Sequence, residues 1–184
     1  MLTTMQDRQL TLQSLFRHGA AVYADSQVSA FDGQRVQSYS YAEIAARVAR
    51  LANGLQRLGI RAGDRVGTFC WNTPEHLEAY FAVPMMGAVL HTLNVRLFAD
   101  QLAYIVNHAE DRIIVVDATL APVLAQAAPE FKSVERYVVV GPSQCGGATL
   151  PGECIDYESL LGSEPGDPEW PDLSESAAAV MCYT

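Results

Sequence analysis

The sequence predicts an α/β fold, a mainly parallel sheet with helices on both faces. Helical and strand signals alternate along residues 1–142, and the turns between them are short. Arg112 to Val116 adds a compact β-branched run of the kind that parallel sheets bury. At 184 residues and 49% hydrophobic content, the chain is long enough for one sizeable core.

The elements follow in order. Leu10, Leu12, Leu15, Phe16, Ala20 and Val22 are spaced as one helical face, and this helix is expected to end near Asp25. Val28 to Phe31 and Val36 to Tyr39 flank Asp32-Gly33, the signature of a hairpin. Ser40 and Glu43 have capping-box spacing. Behind them, Ile44, Val48, Leu51, Leu55 and Leu58 form an apolar stripe, and Gly59 stands where a left-handed cap belongs. Arg65 to Trp71 reads as a strand feeding a helix that starts at Thr73-Pro74-Glu75, with an N-cap, a proline at the first helical position and a favourable acid. Pro84 is expected to kink or end that helix before Gly87, and Ala88 to Leu93 to form the next strand.

Ala99 to His108 then predicts a short helix, Arg112 to Val116 a strand, Leu120 to Ala128 a helix closed by Pro129, and Tyr137 to Val140 a strand. The texture changes at residues 143–176, where glycine and proline alternate with acids and only Ile155 to Leu161 looks ordered. This segment is expected to be an acidic surface connection. Residues 177–184 return to an apolar run, read as one more buried strand with Thr184 as its exit.

Charge narrows the function. The net charge is −9, and all 12 Lys and Arg lie at or before Arg136. The second half thus carries an acidic surface that repels nucleic-acid backbones and anionic lipid. The longest uncharged apolar stretch, Ala79 to His91, falls short of the roughly 18 residues a membrane span needs. No secretory signal is evident, so a cytoplasmic protein is expected. The four cysteines are scattered and read as reduced thiols, and neither they nor the four histidines have metal-ligand spacing.

Self-contained catalytic motifs are absent: there is no G-x-S-x-G, H-E-x-x-H, G-x-G-x-x-G or G-x-x-x-x-G-K-[ST]. Cys70, in an apolar strand, reads as core rather than as a nucleophile. Lys132 is the only lysine and is expected to be solvated. Asn94 and Arg96 follow a strand, where sites in open α/β sheets lie; a turn cap and an ion pair are the alternative reading.

Several segments together carry a resemblance: Tyr39 to Glu43, Leu55 to Gly59, Gly63 to Val66, Trp71 to Glu75, and above all Ala79 to Leu97 and Leu102 to Asp111. In this succession the chain resembles the first subdomain of the large amino-terminal domain of adenylate-forming acyl-CoA synthetases, most of all bacterial medium- and long-chain fatty-acyl-CoA ligases. Phe98 departs from the family, which usually places Ser or Thr before proline there, so this helix start should be less well capped.

The resemblance implies that a fatty-acid carboxylate attacks the α-phosphate of ATP with Mg2+ assistance, and that CoA then captures the acyl-adenylate. In the family a Ser/Thr/Gly-rich loop ending in lysine holds the phosphates. That loop begins at a Tyr-Thr pair like Tyr183-Thr184, so Thr184 is the one ATP-binding residue implied here, with no catalytic or metal-binding residue in the chain. The expectation is an amino-terminal fragment that is inactive alone. Alternatives are a scaffold or homodimerisation module, or a ligase for another acid or acceptor.

Overall fold

The computed structural model describes residues 4, 8–31, 33–141 and 144–183. Its main sheet has six strands in the order β7-β6-β5-β3-β4-β8: β3 (Arg65–Phe69), β4 (Val89–Thr92), β5 (Asp111–Asp117), β6 (Arg136–Val140), β7 (Glu153–Asp156) and β8 (Val180–Met181). Every neighbouring pair is parallel. A separate antiparallel hairpin joins β1 (Gln27–Phe31) and β2 (Val36–Ser40), in the expected place; Asp32 of its turn lies outside the described residues.

Two cores follow from strand alternation. Ile113 and Val115 of β5, with Val138 and Val140 of β6, face α2 (Tyr41–Arg57), α3 (Pro74–Met85) and α6 (Tyr157–Gly162). Ile114, Val116, Tyr137 and Val139 face the other way, toward α4 (Ala99–Ala109) and α5 (Ala121–Leu124). Phe16 of α1 (Leu12–Val22) closes the first core against Tyr41 and Phe81.

Local rules set the helix ends. Ser40 accepts from the Glu43 N–H at 3.2 Å, and the Glu43 carboxylate accepts from the Ser40 N–H at 2.7 Å, completing the capping box of α2. At the other end Gly59 adopts φ +93° while Ile60 N–H donates to the Leu55 carbonyl and Gly59 N–H to that of Gln56, a Schellman motif. Ser40→Ala is expected to cost about 1 kcal/mol, read as a lower urea midpoint at unchanged m-value. At α4, Phe98 supplies no side-chain cap; only the Gln101 side chain accepts from the Phe98 N–H, at 3.1 Å. Half a capping box remains.

Four readings are corrected. Leu120 to Ala128 is not one helix. Pro129 offers no N–H to the carbonyl of Ala125, and the bonds after α5 tighten to i→i+3 through Gln126, Ala127 and Glu130. Residues 144–176 are more than a surface connection: Ile155 to Leu161 is ordered as expected, with Tyr157, Leu160 and Leu161 buried, and the order begins earlier, at the edge strand Glu153–Asp156. Farther along, the segment is fastened at two points: Asn53 Nδ2 donates to the Pro165 carbonyl at 2.7 Å, and Gln13 Nε2 to that of Pro171 at 2.9 Å. The last strand is a two-residue edge pairing with Val180 42% exposed, not a buried strand. Finally, the thiols are not all reduced: Cys145 and Cys154 form a disulfide, while Cys70 and Cys182 are free. Among the described residues, no helix is long and apolar enough to cross a membrane.

Candidate functional site

Chain order and sheet order together locate the site. From β3 the chain crosses to β4 on one side, then returns over β3 to β5 and continues outward to β6 and β7. The direction of winding reverses between β3 and β5, and open α/β sheets bind ligands at the carboxyl ends of strands beside such a switch point.

That crevice is held by its own side chains. Trp71, just past β3, donates from Nε1 to Thr119 Oγ1 at 3.0 Å, and the Thr119 hydroxyl donates to Asp117 Oδ1 at 2.6 Å. Cys70 is buried with its thiol aimed at the Val115 carbonyl, and burial pushes its pKa far up. A thiol so disfavoured as thiolate is core and not a nucleophile, as its strand position implied. Beside it, His76 of α3 bridges the Trp71 carbonyl (Nδ1, 3.1 Å) and Thr68 Oγ1 (Nε2, 3.0 Å). Burial lowers its pKa, so the neutral ring with Nδ1–H toward the carbonyl fits both contacts. An opening of about 250 Å³ at the start of α3 is lined by Ser29, Asn72, Thr73, His76, Leu77 and Tyr80, among others.

Past β4, Asn94 Oδ1 accepts from the Arg96 N–H at 3.0 Å, a local turn cap, so the structural alternative holds for Asn94. Arg96 is exposed and makes no ion pair among the described residues. Lys132 lies at the opposite end of the strands, with Asp64, Arg65 and Arg112 around an opening at the strand beginnings, remote from the switch-point end. It is poorly placed for phosphate at the carboxyl ends.

The chain then returns at β8. There Leu90 and His91 pair with Val180 and Met181, so Cys182 and Tyr183 leave at the carboxyl end of the sheet. Thr184, the residue implied for ATP, lies outside the described residues. Tyr183 lines an opening of about 440 Å³ with Leu97, Asp100, Gln101, Tyr104 and Ile105. Its hydroxyl meets His108 Nδ1 at 2.6 Å, and its ring covers His91, which is buried against Asp111. Sequence reasoning passed over this group because its members are distant along the chain. The one signal was a histidine inside an apolar strand. Among the described residues no cluster of His, Cys, Asp and Glu could hold a metal ion.

Comparison with known proteins agrees with this architecture. The chain is 41% identical over 183 residues to a long-chain-fatty-acid–CoA ligase of Thermus thermophilus, covering 99% of this chain and 32% of the relative. It is 36% identical over 186 residues to a medium-chain-fatty-acid–CoA ligase of Ectopseudomonas oleovorans, and equally so to a 3-methylmercaptopropionyl-CoA ligase of Ruegeria lacuscaerulensis. In both cases all of this chain aligns with 34% of the relative, so the chain spans about a third of the relatives it matches. Among solved structures, a long-chain-fatty-acid–CoA ligase from Archaeoglobus fulgidus superposes with a TM-score of 0.81 at 21% identity, over 100% of this chain and 36% of that one. The pattern of the AMP-binding enzyme family matches residues 16–184, and the chain belongs to that family.

Proposed function

We propose that this chain is the amino-terminal part of an ATP-dependent fatty-acid–CoA ligase. In the first step a carboxylate oxygen attacks the α-phosphorus of ATP and pyrophosphate leaves. In the second, the CoA thiol attacks the acyl carbon, AMP leaves, and the thiol proton passes to solvent. A carboxylate is a poor acyl donor, and adenylation turns its oxygen into a good leaving group. One observation carries the reading: essentially the whole chain aligns at 36–41% identity with ligases that join carboxylic acids to CoA. The parallel edge strand leading to Tyr183, at the end of the sheet where such folds take ligands, supports it.

Within this reading Thr184 opens the phosphate loop. Mg2+, when bound with ATP, would neutralise charge on its phosphates. Asp117, a carboxylate at this end of the sheet, is already engaged by Thr119, and no step is assigned to a metal ligand of this chain. The substrates make a cytoplasmic location part of the proposal, and pairing of two copies through this domain accompanies it.

Residues 1–184 alone are expected to be inactive, because their one lysine lies at the wrong end of the strands. The test is pyrophosphate release from ATP with octanoate or palmitate. The protein with its continuation past Thr184 should release it, and the 184-residue chain should not. Release by the shorter chain, or none by the longer one, would overturn the proposal.

A further inference from the structure

His91 and Asp111 are both fully buried, and His91 Nδ1 lies 2.8 Å from Asp111 Oδ2. They stand on β4 and β5, with β3 between them. Gly67 of β3 is the register partner of His91, and a Cβ there would stand 3.2 Å from Asp111 Oδ2. The missing side chain on the central strand is what lets the two groups meet across it.

Such a pair is costly inside an apolar layer. Neither His91 Nε2 nor Asp111 Oδ1 has a partner among the described residues, and burial raises the Asp111 pKa. The pair therefore gives stability no evident return, and Tyr183 is the aromatic ring packed on it. The Tyr183 ring lies 5.1 Å from that of His91, centroid to centroid. Its hydroxyl is fixed by His108 of α4, whose ring stacks on Tyr104 at 5.6 Å. Arg65 of β3 is the further charge acting on Asp111.

Strand β8 needs such an anchor. Only two of its residues pair with β4, supplemented by the Leu90 N–H bond to the Ala179 carbonyl and a Thr92–Cys182 side-chain contact at 3.1 Å. So short a ladder at an edge specifies register weakly.

We propose that His91, Asp111 and His108 are positioning residues that hold Tyr183 at the carboxyl end of the sheet and thereby set the affinity for ATP. This rests on the ligase reading above. The His108 bond is tested in the protein extended past Thr184, with Tyr183→Phe, His108→Ala and the double variant. Each change removes the same hydrogen bond from a partly exposed group, so folding should survive.

A bond of this kind supports about a five- to tenfold effect. The expected result is that KM for ATP rises by that factor in each single variant and no further in the double, with KM for the fatty acid and the melting temperature unchanged. An unchanged KM for ATP overturns the inference. So does a fall in melting temperature with kcat and both KM values moving together, which marks a merely structural role. A wild-type protein releasing no pyrophosphate overturns the ligase reading, and this inference with it.

Discussion

Glu78→Ala is expected to lower the unfolding free energy by about 3–5 kcal/mol, the range for removing one partner of a buried ion pair. Glu78 is fully buried in α3. It accepts from Arg47 Nε of α2 at 2.6 Å and from the Tyr157 hydroxyl of α6 at 2.6 Å. Arg47 is also bound by Glu158 through both terminal nitrogens, at 2.9 and 2.5 Å. Three helices thus share one carboxylate. Burial still pushes the Glu78 pKa upward, against the lowering effect of Arg47 and Tyr157, so the network is not a large source of stability in itself. Its loss is costly because the Tyr157 hydroxyl would be left buried without a partner and Arg47 would lose its innermost acceptor. Combining Glu78→Leu with Arg47→Met and Tyr157→Phe should recover most of the loss, since all the polar groups then go together. Urea unfolding followed by tryptophan fluorescence compares the variants. A loss below about 1 kcal/mol for Glu78→Ala would refute the account.

Gly54→Leu is expected to destabilise by about 1–3 kcal/mol through overpacking, even though leucine favours helix more than glycine does. Gly54 is buried in α2, and a Cβ there would stand 2.8 Å from Leu160 Cγ and 2.9 Å from Cδ1. The close approach of α6 to α2 therefore depends on the missing side chain. Leu160→Ala should relieve the clash, so the double variant should be more stable than the two single effects predict when added. A thermal melt of the four proteins measures the coupling. Simple additivity would mean that α6 docks on α2 in some other way.

The legible parts of the fold were those specified within a few residues. Ser40 and Glu43 are three positions apart, and their capping box forms as their spacing implies. Gly59 takes the left-handed conformation its place after an apolar stripe demands, and Thr73-Pro74 starts α3 as expected. Strand β7 was harder to see. Glu153–Asp156 has no strong β pattern of its own and becomes a strand by pairing with β6. Tyr157, Leu160 and Leu161 are ordinary residues in a Gly/Pro-rich region until the faces of α2 and β6 cover them. The disulfide was equally hidden, because Cys145 and Cys154 approach only once β7 lies beside β6.

The candidate site divides in the same way. Composition, motifs and the succession of segments along the chain suffice for the α/β class and for family resemblance, because both depend on residue identity and short spacing. Only the tertiary structure decides that strands wind in two directions from β3, that Lys132 lies at the amino ends of the strands, and that His91 reaches Asp111 past Gly67 beneath Tyr183. Those facts arise from strand order and register. Hydrogen bonds between strands set both, and neighbours along the chain do not encode them.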